Sequence, residues 1–208
     1  LQGQKCSACS RVYVHEKVYK AFVEKLLEKT KAIIKGDPTQ KDVFFGPVIN
    51  ARAVKTFEDG AASAVKGGKI LIGGKVMKDG PFGKGTYMEP TIAELPLDHE
   101  LFKRELFVPF LSIAPVSGLD QALEESNKAE YGLTAGIFTT RKEEIERFFD
   151  EIESGVCYAN RRTGATTGAW PGVQSFCGWK GSGSTGKGGC GPYYVSQFMR
   201  EQSRTVME

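Results

Sequence analysis

Stretches with helical apolar spacing alternate along this chain with short apolar runs closed by glycines. That alternation constrains the fold more than any other feature. Val14, Val18, Phe22 and Leu26 recur every four residues, and Val23, Leu27 and Ile34 widen the stripe. The spacing predicts a helix over 15–35, stopped by Gly36-Asp37-Pro38. A second helix is expected from Asn50 to about Lys66, ending at Gly67-Gly68, and Lys69–Ile72 then reads as a strand closed by Gly73-Gly74. A Gly/Lys-rich loop at 78–85 precedes a strand at 86–93. A further strand is expected over 107–116, a helix over 119–128 and a strand over 135–138. A helix over 142–153, burying Ile145, Phe148, Phe149 and Ile152, leads to a strand at 156–159. Helices alternating with short strands imply an α/β fold, a three-layer open sheet with crossover helices.

After Asn160 the pattern changes. Residues 161–192 hold ten glycines and little apolar periodicity, the composition of a long functional loop region. The last segment, 193–206, regains some alternation (Tyr194, Ser196, Phe198) and reads as a terminal strand. A strand beyond the last domain is an unpaired edge, so it implies pairing with a sister subunit. The expected organisation is therefore one domain over 1–192 and an oligomerisation tail over 193–208. The chain opens at Leu1 on a segment already dense in chemistry, which suggests a cut inside a longer protein.

Composition narrows the function classes. With 28 basic and 25 acidic residues the net charge is only +3, and no Lys/Arg block argues for nucleic acid. No run of 18 apolar residues argues for a membrane span. Five scattered cysteines are an odd count for a disulfide framework and fit a reducing, cytoplasmic setting.

Cys6 stands in Gly3-Gln4-Lys5-Cys6-Ser7-Ala8-Cys9-Ser10-Arg11. A thiol attacks only as thiolate, and a turn beside cations such as Lys5 favours that form. The residues alone favour a structural thiol over a nucleophile, and they also allow a redox-active C-x-x-C with Cys9. Zinc is disfavoured, because Cys157, Cys177 and Cys190 form no second C-x-x-C and only His15 and His99 remain. Residues 181–187 satisfy G-x-x-x-x-G-K, but Gly188 replaces the Ser/Thr needed for Mg²⁺. Gly188-Gly189-Cys190-Gly191-Pro192 also cannot open the helix that a phosphate loop requires.

Taken in order, these motifs resemble the aldehyde dehydrogenase family. Gly3–Arg11 is similar to its active-site cysteine motif, and Gly36-Asp37-Pro38 with Gly46-Pro47-Val48-Ile49-Asn50 to the segment after its first catalytic-domain helix. Tyr87-Met88-Glu89-Pro90-Thr91, Glu105-Leu106-Phe107-Val108-Pro109 (E-x-F-G-P) and Tyr131-Gly132-Leu133-Thr134 follow in family order. Asn160 and Phe176-Cys177-Gly178-Trp179-Lys180-Gly181-Ser182-Gly183 (F-G-G-x-K-x-S-G) complete the series. The stretch Asn160–Ala165 further resembles the 1-pyrroline-5-carboxylate dehydrogenase branch.

The resemblance implies an NAD-dependent (or NADP-dependent) oxidoreductase without a metal, with Cys6 as nucleophile. Glu105 would hold the nicotinamide ribose and Phe107 would pack beside the nicotinamide. Gly164 and Ala165 would give backbone N–H groups to the α-carboxylate of glutamate semialdehyde, a glycine-opened anion nest. Phe176 would pack on the substrate's aliphatic part. The family's nucleotide-binding domain, general-base Glu and oxyanion Asn all precede the cysteine motif, so this chain is expected to be inactive alone. Two positions depart from the pattern: Val108 and Cys177 each stand where the family has glycine. Ala169-Trp170-Pro171-Gly172 resembles an insertion relative to bacterial members.

Overall fold

The computed structural model describes residues 1–162, 169–170, 172–184 and 187–208. The chain divides into two compact units, Leu1–Ala129 and Glu130–Glu208. The first contains β1 (Arg11–His15), α1 (Glu16–Lys31), α2 (Ala51–Gly67), β2 (Lys69–Ile72), β3 (Thr91–Glu94), β4 (Phe110–Val116) and α3 (Leu119–Asn127). Its sheet runs in the order β1-β4-β3-β2, with β1 and β3 parallel to β4 and β2 antiparallel to β3.

The strand period of two sorts the core into two layers. From β4, Leu111 and Ile113 face one side, where Val14, Ile92 and the α1 residues Tyr19, Val23, Leu26 and Leu27 pack. Phe110 and Ala114 face the other side and meet Phe57, Ala61 and Ala64 of α2, with Met88, Ala93 and Leu95. Phe57 is completely buried and meets the Phe110 ring edge-on at 6.4 Å between centroids. The Asn50 side chain caps α2 by accepting from Ala53 N at 3.0 Å. This unit is the expected three-layer arrangement: helix, largely parallel sheet, helix.

Several boundaries and faces differ from the sequence reading. The strand β1 was not anticipated, because the cysteine motif masks its start and His15 both ends it and caps α1 by accepting from Lys17 N. α1 stops at Lys31, before the Gly36-Asp37-Pro38 signal. Its packed face is Tyr19-Val23-Leu26-Leu27, whereas Val18, Phe22 and Ile34 are exposed, so the stripe is rotated from the expected one.

The second unit contains β5 (Tyr131–Gly132), β6 (Thr134–Ile137), α4 (Lys142–Glu151), β7 (Val156–Ala159) and β8 (Trp179–Lys180). β6 and β7 pair in parallel through the α4 crossover, and β5 pairs antiparallel with β8. Phe148 and Ile152 are buried as expected, but Phe149 is exposed. The terminal strand expected over 193–206 is instead a 3₁₀ turn at Val195–Phe198 followed by irregular chain. A strand needs a neighbour to satisfy its N–H and C=O groups, and among the described residues this segment pairs with no strand. Among the described residues, no helix is long and apolar enough to cross a membrane.

Candidate active site

The Cys6 loop is built on backbone complementarity. Gln2 and Gly3 both take left-handed backbone (φ 54° and 72°), which turns the chain before Lys5. A Cβ on Gly3 would lie 2.4 Å from the Val108 carbonyl oxygen, so only glycine lets the two backbones meet. The Ala8 N–H then donates to the Lys5 carbonyl at 2.9 Å, closing a turn around Cys6 and Ser7. Cys6 is exposed, whereas Ser7 is buried at 3%. The loop leads directly into β1, where the Ser112 N–H donates to the Ser10 carbonyl at 3.0 Å.

Two side chains of the same motif fasten the loop to its surroundings, and the sequence reading gave neither a role. Gln4 Oε1 accepts from the Ile49 N–H at 2.9 Å, tying the loop to the approach of α2. Arg11 Nη1 donates to the Phe102 carbonyl at 3.0 Å. Both lie inside the quoted cysteine motif, but their partners Ile49 and Phe102 are distant in sequence, so no sequence signal marks these roles.

Glu105 and Phe107 lie on the segment that Gly3 touches. Gly3, Lys5, Ala8 and Cys9 line one cleft together with Glu105 and Phe107. Partial burial raises the Glu105 carboxyl above its ordinary value, and the nearby Arg11 charge opposes that rise. Phe107 has φ 59°, an uncommon backbone for a bulky residue, and its ring is 45% exposed. Left-handed backbone in a non-glycine residue costs on the order of 1–3 kcal/mol and persists where surrounding structure imposes it. Val108 and Pro109 on its far side are buried, and the Thr91 N–H donates to the Pro109 carbonyl at 3.0 Å, which supplies that constraint.

Cys9 differs from Cys6. Its thiol donates to the Arg11 carbonyl at 3.5 Å, and desolvation of the sulfur raises its pKa although part of the residue reaches solvent. A protonated thiol held to a carbonyl is a poor nucleophile.

Of the residues expected at the substrate, Gly164 and Ala165 lie outside the described residues. Phe176 belongs to the second unit, where it exchanges two backbone hydrogen bonds with Gly189 at 2.8 and 3.1 Å. A Cβ on Gly188 would meet the Phe176 carbonyl oxygen at 2.5 Å, so glycine at 188 permits this pairing. The same pairing decides the fate of the G-x-x-x-x-G-K match. Residues 187–190 form a bridge and turn rather than a helix, and the Lys187 ammonium lies 4.3 Å from the Tyr193 ring centroid.

Comparison with known proteins finds relatives over nearly the whole chain. Residues 1–204 match the model of the aldehyde dehydrogenase family. The chain is 39% identical over 207 residues to a 1-pyrroline-5-carboxylate dehydrogenase of Bacillus licheniformis, covering 99% of this chain and 38% of the relative. Identity to 1-pyrroline-5-carboxylate dehydrogenase 2 of Bacillus subtilis is 38% with the same coverage. A solved Thermus 1-pyrroline-5-carboxylate dehydrogenase with bound NAD superposes with a TM-score of 0.78 at 32% identity, over 86% of this chain and 33% of that one. The chain thus spans 38% of the length of the curated relatives it matches. With residues 1–204 matching the family model and 99% of its length covered by a relative at 39% identity, the chain belongs to the aldehyde dehydrogenase family.

Proposed function

We propose that this chain is the cysteine-bearing catalytic portion of an NAD(P)-dependent aldehyde dehydrogenase, acting on glutamate semialdehyde with Cys6 as the nucleophile. The observation that supports the reading is the seating of Gly3 on the Val108 backbone, beside a cleft lined by Lys5, Ala8 and Cys9 of the cysteine loop and by Glu105 and Phe107, with the exposed Cys6 on the same loop though not among the lining residues. The substrate class rests on the relatives named as 1-pyrroline-5-carboxylate dehydrogenases and on the Asn160–Ala165 motif. In this reading residues 1–192 form the catalytic domain, residues 193–208 an oligomerisation tail, and the nucleotide-binding domain lies outside this chain.

The residues present fit a nicotinamide dinucleotide: Glu105 offers a partly buried carboxylate that accepts from a ribose diol, and Phe107 an exposed ring for a flat heterocycle. The bound dinucleotide supplies the hydride acceptor. Cys6 sulfur bonds to the aldehyde carbon as the carbonyl π bond opens, giving a thiohemiacetal oxyanion that the Cys6 backbone N–H helps to hold. Loss of hydride from that carbon leaves a thioester on Cys6. Water then adds to the thioester carbon, and the carbon–sulfur bond breaks to return the thiolate and release the carboxylate. By the family resemblance, Gly164 and Ala165 would give backbone N–H groups to the substrate's α-carboxylate and Phe176 would pack on its methylene chain.

Catalysis needs nucleophile, base and cofactor held together, so the 208-residue chain alone is expected to give no turnover. NADH formation from glutamate semialdehyde is the measurement. Addition of the nucleotide-binding portion of a relative should restore it, and Cys6→Ser should abolish the restored rate. Robust turnover by the chain alone, or activity surviving Cys6→Ser, would overturn the proposal. Alkylation adds a test that needs no turnover: Cys6 should react faster than Cys157 or Cys190, and equal rates refute its assignment.

A second reading is a non-catalytic domain that acts by association. Exposed Tyr193, Val195, Phe198 and Met199 on the terminal segment favour it. Monomeric sedimentation of the pure chain, together with restored turnover on complementation, would exclude it.

A further inference from the structure

We propose that Cys157 and Cys177 form a dithiol modification site, which a low-molecular-weight disulfide converts to an intramolecular bond that pins the Phe176–Gly178 segment to β7. The family pattern has glycine where this chain has Cys177, and neither thiol has a part in the mechanism above. Two segments distant in sequence meet here. A Cβ on Gly155 would lie 2.0 Å from the Cys177 carbonyl oxygen, so the chain at 177 rests on the bare backbone that opens β7. Cys157 Sγ donates to the Ser154 carbonyl at 3.2 Å, and Cys177 Sγ donates to the Gly155 carbonyl at 3.3 Å. The two sulfurs are therefore held on acceptors of consecutive residues, whose Cα atoms lie about 3.8 Å apart. Both residues are half-buried, so a small disulfide can reach them while larger reagents are hindered.

The chemistry is thiol–disulfide exchange. The Cys177 thiolate attacks one sulfur of oxidised glutathione, forming a mixed disulfide and expelling one glutathione thiolate. The Cys157 thiolate then attacks the Cys177 sulfur, forming the internal bond and expelling the second glutathione. Two protein thiols are oxidised, one glutathione disulfide is reduced, and the two thiol protons go to the departing glutathiones. Burial, reinforced by the neighbouring Cys177, pushes the Cys157 thiol up to about 11. Closure is the slow step for that reason, and it quickens as pH rises toward that value.

The test uses the 208-residue chain, reduced and then exposed to oxidised glutathione, with tryptic peptide mapping under non-reducing conditions. Cleavage after arginine and lysine separates Cys157 (residues 148–161) from Cys177 (residues 163–180), and puts Cys6 and Cys9 together on residues 6–11. The expected product joins 148–161 to 163–180, and in urea the same link should form at least tenfold more slowly. Cys157→Ser should trap one glutathione on Cys177, and Cys177→Gly should leave Cys157 unlinked. The proposal is overturned if Cys157 and Cys177 stay unlinked while Cys6 and Cys9 oxidise. It is equally overturned if the link forms as fast in urea, or if Cys157→Ser accumulates no adduct on Cys177.

Discussion

Gly3→Ala tests directly whether the Cys6 turn depends on backbone contact. Two costs add. The residue has φ 72°, where alanine is disfavoured by about 1–2 kcal/mol. Its Cβ would also lie 2.4 Å from the Val108 oxygen and 2.8 Å from the Val108 carbon, so the backbones must part by about 1 Å to reach ordinary contact. Forced backbone movement of this kind costs roughly 1–3 kcal/mol. Gly80→Ala is the control in the same unit, because Gly80 has φ 54° with nothing within 4 Å of its Cβ position. The loss of unfolded-state freedom from Gly to Ala is common to both variants and cancels in the comparison. Gly3→Ala should therefore be less stable than Gly80→Ala by about 2 kcal/mol, a Tm gap of roughly 4–8 °C for a chain of this size. Scanning calorimetry supplies the Tm values, and the alkylation rate of Cys6 should change only in Gly3→Ala. Equal melting temperatures for the two variants would refute the claim that the turn is seated on Val108.

Other perturbations probe the core, the electrostatics and the buried thiol. Phe57→Ala removes a fully buried ring between α2 and β4 and should cost about 3–5 kcal/mol in urea titration; a loss under 1 kcal/mol would contradict the packing described. Arg11→Met removes the charge that opposes the upward shift at Glu105, so the Glu105 carboxyl should titrate higher by NMR, and a lower value would contradict their pairing. Cys157 is raised from 9.0 to about 11 in the fold, so its contribution to stability is present below pH 9 and lost as pH rises through about 11. The urea midpoint should fall across that window in the native chain and fall less in Cys157→Ala.

Much of the fold was legible because its elements are locally encoded. The capping Asn50 and the glycines at 67 and 68 mark α2 closely, and β2, β7 and α4 fall within about two residues of their expected bounds. The phase of α1 was not legible. Val18, Phe22 and Tyr19 are comparably apolar, and only the position of β1 and β3 decides that Tyr19 turns inward, where its hydroxyl donates to Glu94 Oε2 at 2.6 Å. The terminal strand failed for a related reason: alternation at Tyr194, Ser196 and Phe198 proposes a strand, but pairing partners make one. At the candidate site, Cys6, Glu105 and Phe107 rest on motif order, and the fold adds that Glu105 and Phe107 line one cleft with Lys5, Ala8 and Cys9 of the cysteine loop. The fastening roles of Gln4 and Arg11 depend on Ile49 and Phe102, which sit far away in sequence and carry no mark of their part.

The two departures from the family pattern now have a physical reading. A glycine is irreplaceable where φ is positive or where a Cβ would strike backbone. Among the described non-glycine residues, positive φ falls on Gln2, Phe107, Asn160, Lys180 and Cys190, and therefore not on Val108 or Cys177. Val108 accordingly places its side chain in the core, where it is buried at 4% beside Phe110 and Leu106, while its carbonyl remains the surface that Gly3 approaches. The close approach is met from the other side, by Gly3. Cys177 follows the same logic, since its carbonyl rests on Gly155 and its Cβ side is left open by Gly188, whose own Cβ would stand 2.5 Å from that of Cys177. In both places one glycine of a touching pair suffices, which frees the partner position to carry a side chain. A double variant, Gly155→Ala with Cys177→Gly, follows from that argument: the Cβ at 155 strikes the carbonyl at 177, which glycine there does not remove. It should remain destabilised relative to Cys177→Gly alone by roughly 1–3 kcal/mol, and full rescue in a urea titration would show that the contact is made by side chains rather than backbone.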